Sequence, residues 1–503
     1  MNPFRTMSSA RPLRLASLAA ALVLSGCMGA PLAPADPHAG VAVPAAFAQA
    51  GAGAPSWTTA PPAEAQPRGA WWLAFQDPVL NALVERAGDA NTDVRQAAAR
   101  LAEARALLRS ADADRAPQLG VSTGVTRQAG ANTSGGATPA TLGTAGLNAS
   151  YELDLFGRLA RASDAARLDA EARAALLRST RLLVQADVAQ TYLQLRSVQA
   201  ERVLVDESLA AYRGTLHLTQ RRYQAGDVAE LDLARVRTEV AATEAEALAL
   251  ERQQVLLQNA LAVLAGDVAG GFAVAPAPGD AVLPVVPAGV PGTVLARRPD
   301  VSAAQAAVLA AQARVGVAQA AWFPAVTLTG SGGYASPELG DLFRWSSRAW
   351  SVGALLSLPL FDGGRRAAQE EGARARLDEA LAAHRGQVLA AFREVEDQLG
   401  SLRLLAAQAE AQGRAVDASA RATQLSDSRY RNGFVSQLEL LDARRSELRN
   451  RRQALQVRTA QYTATVGLIR ALGGGWGEEA ATAGAAPAGT AVARAPGAGP
   501  ASE

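Results

Sequence analysis

The chain has 503 residues, with 49 basic side chains, all of them arginine, 47 acidic ones and a net charge of +2. Basic and acidic residues alternate along the sequence as on solvated helix faces, which excludes an extended basic surface for nucleic acid. Aromatic residues make up only 5 % of the chain, and the abundance of Ala, Leu, Arg and Glu favours long helices. The single cysteine excludes an intrachain disulfide.

The N-terminus has the pattern of a processed segment. A basic start leads into an apolar stretch at residues 15–24, which is too short to remain as a mature membrane helix. The small residues before Cys27 resemble the lipobox of bacterial lipoproteins, so we expect cleavage before Cys27 and a covalent lipid on that residue. The alternative is a secreted protein that is cleaved elsewhere and keeps a spare thiol. Met28, where an aspartate would favour inner-membrane retention, favours the outer membrane.

The next segment predicts a tether that leads into helices. Residues 27–70 are rich in Ala, Pro and Gly and lack periodicity, which is typical of an extended linker. Asp77 and Pro78 then predict the N-cap and the first residue of a helix. A further helix is expected over about residues 89–116, because Pro117 disfavours its continuation.

The period of the pattern then changes from helical to two. Alternating residues predict strands at about 118–128 and 142–156, joined by a loop at 129–141. Each strand has one apolar and one polar face. The same pair of strands recurs at about residues 325–335 and 348–360, which makes four strands per chain. Four strands cannot close a barrel, and open strand edges cannot lie in lipid, so a membrane barrel would have to be shared between chains. The alternative is a small soluble sheet packed on helices.

A very long helix follows the strands. It runs from Arg158 to a turn at Gly226, about 67 residues or about 100 Å, and a second helix returns over about residues 228–264. The helix at about residues 89–116 and the returning helix have a combined length close to that of the long helix. We therefore expect these two shorter helices to stack end to end beside it.

The whole pattern occurs twice. Tyr223 and Gly226 recur as Tyr430 and Gly433, an offset of 430 − 223 = 207 that also links Asp93 to Asp300. In the second copy the predicted helix, two strands, long helix and returning helix lie at about residues 299–322, 325–335, 348–360, 364–432 and 435–472. The predicted segments are a signal peptide (1–26), a tether (27–70), repeat one (71–264), a linker (265–298), repeat two (299–473) and a disordered tail (474–503).

The chain resembles the TolC family of outer-membrane factors, and more closely its NodT-type efflux lipoproteins. The resemblance covers about residues 71–472 and is carried by Leu24–Cys27, Trp71–Pro78, Asp93-Val94, Tyr151–Arg158, Arg297–Val301, Phe323-Pro324 and both Tyr-x-x-Gly turns. It implies an α+β membrane protein with a duplicated helix–strand–strand–helix repeat. It also implies a homotrimer in which twelve strands form one shared barrel that continues into a long periplasmic α-helical barrel.

The function that this resemblance implies is that of an exit duct. The duct would belong to a tripartite multidrug pump of the RND type and would conduct drugs or other small solutes passively across the outer membrane. Its implied partners are a periplasmic adaptor protein, an inner-membrane pump and outer-membrane lipids. The alternatives are the duct of a type I protein-secretion system and a structural lipoprotein that spans the periplasm. The paired strands disfavour such a spacer, which needs none.

The helix turns carry the candidate site residues. Glu439 and Asp442 lie three residues apart on one helix face, and the resemblance maps them onto the acidic positions that ring the closed periplasmic end. The resemblance also assigns Tyr430 to contacts between helices at this gate. A basic residue that is usual nearby is replaced by Val435, which predicts a different latch. The alternative is a pair of ordinary surface acids.

The same resemblance places adaptor docking at the two turns. The predicted docking residues are Tyr223, Gly226, Tyr430 and Gly433. The loops at 129–141 and 335–347 are expected at the opposite end, facing outside the cell.

No catalytic or metal site is predicted. The three histidines, His38, His217 and His384, have no neighbouring cysteine and no ligand spacing. No glycine-rich phosphate loop follows a strand. The protein is therefore expected to be neither an enzyme nor a holder of a cofactor other than the lipid on Cys27.

Overall fold

The computed structural model describes residues 41–44, 46–49, 69–129, 139–275, 281–286, 294–295 and 297–474. The predicted signal peptide, Cys27 and almost all of the predicted tail lie outside the described residues, as does most of the first predicted loop. A short 3-10 turn at Trp71–Phe75 comes first. The helices that follow are α1 (Pro78–Ala90), α2 (Thr92–Ala113), α3 (Arg158–Gln224), α4 (Glu230–Leu264), α5 (Pro299–Ala320), α6 (Arg365–Arg431) and α7 (Gln437–Ala471). The strands are β1 (Gln118–Gln128), β2 (Ala140–Leu153), β3 (Ala325–Ser336) and β4 (Arg348–Ser357).

The first two helices are separated by one residue. The side chain of Asp77 accepts hydrogen bonds from the backbone of Val79 and Leu80 at the start of α1, which confirms the predicted N-cap. Asn91 leaves the helical conformation, and its side chain accepts hydrogen bonds from the N–H groups of Asp93 and Val94. Helix α2 therefore starts at residue 92, a little later than predicted.

Two strands end earlier than the alternating pattern predicted. Strand β2 ends at Leu153 because the carboxylate of Asp154 accepts hydrogen bonds from the N–H groups of Leu159 (3.1 Å) and Ala160 (2.7 Å), which starts α3. Strand β4 ends at Ser357, so the predicted extension to about residue 360 was wrong. Pro359 cannot donate a hydrogen bond to a neighbouring strand, and the chain leaves the sheet there.

The four strands form one antiparallel sheet in the order β1-β2-β3-β4. The central pair, β2 and β3, joins the two copies of the repeat, with Ala149 opposite Gly330. Strands β1 and β4 are the two edges. The end of the sheet away from the helices carries the paired residues Gln128 and Ala140 of β1 and β2, and Tyr334 and Arg348 of β3 and β4.

Helix α3 is the element on which most of the other helices pack, with α6 as the exception. Like α6 it has 67 residues, which confirms the two predicted long helices. Its N-terminal half contacts α2, where Ser163 hydrogen-bonds Asp112, and α5, where Arg161 donates to the carbonyl of Gly316 (3.1 Å). Its C-terminal half contacts α4 and α7.

The shorter helices stack end to end, as predicted, and the two copies do this at equivalent positions. In copy one the side-chain amide of Asn91, at the start of α2, donates to the carbonyl of Leu264, the last residue of α4 (3.0 Å). In copy two Arg298, just before α5, donates to the carbonyl of Ala471, the last residue of α7 (3.0 Å). Both donors and both acceptors are related by the repeat offset of 207. We call these two contacts the waist joints.

Each waist joint also requires a glycine. Gly266 and Gly473 end α4 and α7 with positive φ angles of 72° and 88°. A Cβ atom would lie 2.6 Å from the carbonyl oxygen of Ala90 at the first position and 2.9 Å from that of Arg297 at the second. The glycines therefore permit both the left-handed conformation and the close approach of the next helix.

The largest apolar core surrounds the first waist joint. Phe75, Tyr192 and Leu261 are 0–1 % exposed there, and the Tyr192 hydroxyl donates to Asp77 (2.7 Å). Helix α5 is the one helix among the described residues that is long and apolar enough to cross a bilayer. It packs between α3 and α6, which accounts for its composition.

Part of the predicted tether is packed against the helices. Phe47 is 3 % exposed and lies against Val395 and Leu468. The Glu396 carboxylate accepts hydrogen bonds from the N–H groups of Ala48 (2.6 Å) and Gln49 (2.9 Å). The composition of residues 27–70 predicted an extended linker throughout. Val41 and Val43 also pack against a neighbouring core cluster, so a few apolar side chains and two backbone hydrogen bonds dock the segment.

Candidate gate at the helix turns

The two turns that connect the helix pairs have the same backbone geometry. Gly226 and Gly433 adopt positive φ angles of 79° and 75°, and both are exposed. The N–H of Asp227 donates to the carbonyl of Arg222, and the N–H of Phe434 donates to that of Arg429, each at 2.9 Å. This six-residue bond closes a helix C-terminus and needs glycine before it.

Tyr430 connects the two turns. Its hydroxyl accepts a hydrogen bond from Nη1 of Arg222 (3.2 Å), and the guanidinium lies 5.9 Å from the centre of the tyrosine ring. The last turn of α6 is thereby held to the last turn of α3. Arg222 is thus a basic residue beside Tyr430, whereas position 435, where the resemblance led us to expect a basic residue, is Val. Tyr223, the equivalent of Tyr430 in copy one, is 40 % exposed, and the described part of the chain shows no hydrogen bond to its side chain.

Glu439 and Asp442 lie on the exposed side of α7. Between them, Leu440 and Leu441 are each 2 % exposed, and Leu441 packs with Tyr212 of α3. The alternation orients α7 so that its apolar side faces the protomer and its acids face away from it. Neither carboxylate forms a hydrogen bond or an ion pair with any other described residue. The acids are therefore available to a neighbouring chain or to the solution beside the turn.

A set of arginines on α7 was not predicted from the sequence. Arg445 pairs with Glu239 of α4 (Nε to Oε2, 2.7 Å), and Arg452 pairs with Glu201 of α3 (2.7 Å) and also with Glu246 of α4. The arginines are seven residues apart and so are their partners on α4. That shared heptad spacing was visible in the sequence, but it identifies partners only once α4 and α7 are known to be neighbours.

Two further contacts, both made by Arg444, lie nearer the turn. Arg444 donates to the hydroxyl of Thr215 on α3 (3.0 Å) and to the carboxylate of Asp427 on α6 (3.1 Å). Tyr212 lies one helical turn from Thr215 and is 2 % exposed, and burial raises the pKa of its phenol. We call Arg444, Arg445 and Arg452 the α7 arginines. They join α7 to every helix around it.

The sheet at the other end has two chemically different faces. Paired residues on one face are apolar and exposed, including Leu119 and Val121 of β1 (82 % and 81 %) and Val352 of β4 (82 %). The opposite face is built from small polar residues, and Ser331 and Ser351 hydrogen-bond across it (2.8 Å). An exposed apolar face of this size requires an apolar environment.

Among the described residues, no group of three or more His, Cys, Asp or Glu side chains is placed to hold a metal ion. A two-faced sheet with open edges, joined to long paired helices that end in polar turns, defines the class of membrane channel subunits with a helical extension. The chain belongs to the outer membrane efflux protein family. The model of that family matches residues 83–267 and again residues 290–474, with the repeat offset of 207 between the two matches.

The chain is similar in sequence to several relatives over most of its own length and theirs. The chain is 36 % identical to the outer membrane protein OprJ of Pseudomonas aeruginosa, over 81 % of this chain and 86 % of that protein. It is 32 % identical to the cation efflux system protein CusC of Escherichia coli O6:H1 (92 % and 99 % covered). It is 31 % identical to the probable outer membrane lipoprotein SilC of Salmonella typhimurium (93 % and 99 % covered).

Solved structures show the same fold. The outer-membrane channel OprN superposes with a TM-score of 0.81 at 31 % identity, covering 90 % of this chain and all of that one. The outer membrane protein VceC of Vibrio cholerae superposes with a TM-score of 0.75 at 31 % identity, covering 81 % of this chain and 100 % of that one. The predicted family is thus confirmed, and with it an outer-membrane location and a role in efflux. The family is one of transport proteins.

Proposed function

We propose that three copies of the chain form the exit duct of a tripartite efflux pump. The observation that carries this proposal is the sheet, which exposes an apolar face and leaves β1 and β4 unpaired at its edges. Unpaired backbone groups cannot lie in lipid, and membrane barrels have at least about eight strands. Three copies supply twelve strands, and the family resemblance supports that number.

In such a barrel the apolar face contacts lipid and the polar face lines the lumen. The closing contact joins β4 of one protomer to β1 of the next, and the two strands are similar in length, with 10 and 11 residues. The helices extend the lumen into the periplasm by about 100 Å, the length of α3 at helical rise. A spacer without a channel has no use for a two-faced sheet.

The proposed partners are a periplasmic adaptor and an inner-membrane pump. The adaptor docks at the exposed turns around Gly226 and Gly433, beside Tyr223 and Tyr430. We propose that Cys27 carries the lipid that adds a second membrane attachment, as the name of SilC supports.

The proposed substrates are drugs or other small organic solutes that pass without chemical change. One relative is a toluene efflux pump component of Pseudomonas putida, whereas CusC belongs to a cation efflux system. Residues 29–503 of this chain contain neither Cys nor Met, so the duct offers no sulfur ligand to a soft cation.

The gate is proposed to be the ring that three copies of Glu439 and Asp442 form around the axis. Six carboxylates in a narrow pore attract cations and repel each other. The closed state is then held by packing of α7 and by the contact between Arg222 and Tyr430.

Single-channel recordings in planar bilayers test the duct and the gate together. The full chain is expected to conduct, and Asp442→Ala is expected to lower its preference for cations. Asp417→Ala, an equally exposed acid on α6 about 20 Å from the turn, is the matched control and should change selectivity less. Tyr430→Phe combined with Glu439→Ala should raise the resting conductance.

Two results would contradict parts of the proposal. Unchanged ion selectivity in Asp442→Ala would mean that these acids do not line the constriction, and the proposal of a duct would be unaffected. A purified chain that stays monomeric and does not conduct would contradict the proposal that the protein forms a duct.

A further inference from the structure

The outer end of the apolar sheet face carries an arginine among aromatic rings. Directly paired residues share a face, so Arg348 of β4 and its partner Tyr334 of β3 lie on the same side as Trp350 and Val352. Along β4 this face presents a cation, then an aromatic ring, then aliphatic side chains as far as Leu356. The row is about 26 Å long at strand rise.

The loop between β3 and β4 adds two more rings to this end. Phe343 and Trp345 are 74 % and 73 % exposed. The Phe343 ring packs edge-on against Tyr334, with 5.8 Å between centroids. The guanidinium of Arg348 lies 4.7 Å from the centre of the Trp345 ring and donates to the Trp345 carbonyl (3.1 Å). We call Tyr334, Phe343, Trp345, Arg348 and Trp350 the outer rim.

The charge of Arg348 is not neutralised by any carboxylate among the described residues. Arg344 lies four residues earlier, in the loop that leads into β4. Its charge is neutralised, because it pairs with Asp341 (3.1 Å). The Arg348 side chain is exposed and is held in place by the ring and carbonyl of Trp345 alone.

The inner end of the sheet shows the opposite arrangement. There Arg158 pairs with Glu152 (2.8 Å), and Arg366 pairs with Asp362 (2.7 Å) while it also stacks on Trp322 (4.8 Å). Both cations at the inner end are therefore neutralised within the protomer. The two ends of the sheet thus differ in whether their arginines are paired with a carboxylate, although both ends contain aromatic rings.

A neighbouring protomer does not supply a carboxylate from its adjacent strand. In the proposed barrel, β4 pairs with β1 of the next chain, and residues 118–128 contain no Asp or Glu. Residues 129–139, which connect β1 to β2, contain none either. These segments instead add Arg127, whose position in the register places it on the same apolar face as Leu119 and Val121.

We propose that the outer rim binds the phosphate groups of anionic glycolipid in the outer leaflet of the outer membrane, with Arg348 as the phosphate ligand. The inference rests on the proposed barrel, which sets this face against lipid. Guanidinium groups bind phosphate with paired hydrogen bonds, and aromatic rings occupy the level between headgroup and acyl chains. The rings of the outer rim lie at that level, and the aliphatic row below them contacts acyl chains.

Lipid binding to the purified full-length protein tests the proposal. The probes are lipid A carrying both phosphates and the same lipid with its phosphates removed, and native mass spectrometry counts the lipids retained per assembly. The wild type is expected to retain the phosphorylated form selectively. Arg348→Gln should weaken that binding by about tenfold or more, since a charged hydrogen-bonded pair is lost. Arg344→Gln is the matched control, with the same charge change four residues earlier in the loop that leads into β4, and should change binding by less than about twofold.

Several results would overturn the proposal. Equal retention by wild type and Arg348→Gln would do so, as would an equal loss in Arg344→Gln, which would indicate loop charge in general. Displacement by inorganic phosphate alone would indicate a site for free anions. Loss of the assembly in Arg348→Gln, without a change in lipid selectivity, would place Arg348 in a contact between protomers. If the wild type conducts normally but does not discriminate between the two lipids, the lipid proposal fails and the proposed function as a duct is unaffected. If the wild type does not conduct, the proposed function itself is contradicted.

Discussion

Replacing Arg298 by methionine is expected to destabilise the waist joint of copy two more than any comparable change in copy one. The Arg298 side chain is 6 % exposed and pairs with Asp300 (2.6 Å) and Glu394 (2.8 Å). It also donates to the carbonyl of Ala471. Methionine fills similar volume and removes only the charge and the hydrogen bonds.

The size of the effect follows from what the substitution leaves behind. Removing one partner of a buried ion pair costs about 3–5 kcal/mol, because the other charge stays buried without compensation. The side chains of Asp300 and Glu394 keep 24 % and 29 % exposure, so water relieves part of this cost. We expect a loss near the lower limit, about 3 kcal/mol. Asn91→Leu removes the neutral equivalent and its helix cap, and should cost about 1–2 kcal/mol.

The effect of pH gives the sharper test. Burial raises the pKa of Asp300, but the hydrogen bonds and charge of Arg298 outweigh it and hold that pKa below its usual value. A folded-state pKa below the unfolded one stabilises the fold above about pH 4, and the stabilisation is lost as pH falls through the folded value. The Arg298→Met variant lacks the cation that lowers this pKa. The difference in stability between wild type and variant should therefore be large at neutral pH and shrink on acidification.

Urea unfolding in detergent, followed by far-ultraviolet circular dichroism, measures both variants against the wild type. A deficit for Arg298→Met that stays the same from neutral to acidic pH would refute the electrostatic argument and assign the loss to packing. The Asn91→Leu deficit should not change over the same range, since no carboxylate depends on that side chain.

Three further predictions concern other parts of the chain. Alanine at Gly266 or Gly473 should destabilise the protein by about 1–3 kcal/mol, because its Cβ atom would collide with the backbone at a position of positive φ angle. Gly214→Ala inside α3 should instead stabilise the protein by about 0.5–1 kcal/mol, since nothing lies near the added Cβ atom. Thermal unfolding distinguishes the two outcomes. Cys27→Ser should abolish acylation, as mass spectrometry of the mature N-terminus reports, while the protein still inserts into the outer membrane. Phe47→Ala should release the docked segment and make it sensitive to limited proteolysis, at a cost of about 3 kcal/mol; unchanged protection would contradict that docking.

The overall architecture was predictable because each level of it has a strong periodic signal. The change from period 3.6 to period two located the strands, and the glycines at the turns, Gly226 and Gly433, ended the long helices. The repeat offset predicted that both copies share one plan. The waist joints follow from the same offset, yet the residues differ: Asn91 is neutral and Arg298 is charged. No pattern in a single sequence says which carboxylates will surround an arginine.

The site residues were predicted less completely. Tyr430, Glu439 and Asp442 came from the family resemblance, and the structure places all three at the α6–α7 turn. The structure adds Arg222, which no motif indicated because its partner is more than two hundred residues away along the chain. The seat of Phe47 was missed for a related reason. A segment rich in alanine and proline is normally a linker. The pocket that Phe47 fills between α6 and α7 exists only in the folded structure, so the sequence does not reveal it.

The contacts along α7 differ in strength from one end to the other, and the difference bears on how a gate at its turn would open. At the waist, α7 ends against Arg298, whose guanidinium is nearly inaccessible to water. Toward the turn, the side chains of the α7 arginines are 24–42 % exposed. Fully exposed ion pairs contribute about 0–1 kcal/mol each and are weakened by salt. The pairs of the α7 arginines are half-exposed, since Glu239 and Glu201 are only 11 % and 13 % exposed, and they are therefore weaker than the buried contacts of Arg298 but stronger than surface pairs.

Helix α7 is therefore anchored firmly at the waist and weakly near the turn. A force applied at the turn separates the weak contacts one at a time, whereas movement at the waist must expose a buried charge. An opening motion that costs least keeps the joint at Arg298 fixed and swings the end that carries Glu439 and Asp442. High salt should accordingly favour the open duct, and Arg298→Met should affect stability more than conductance.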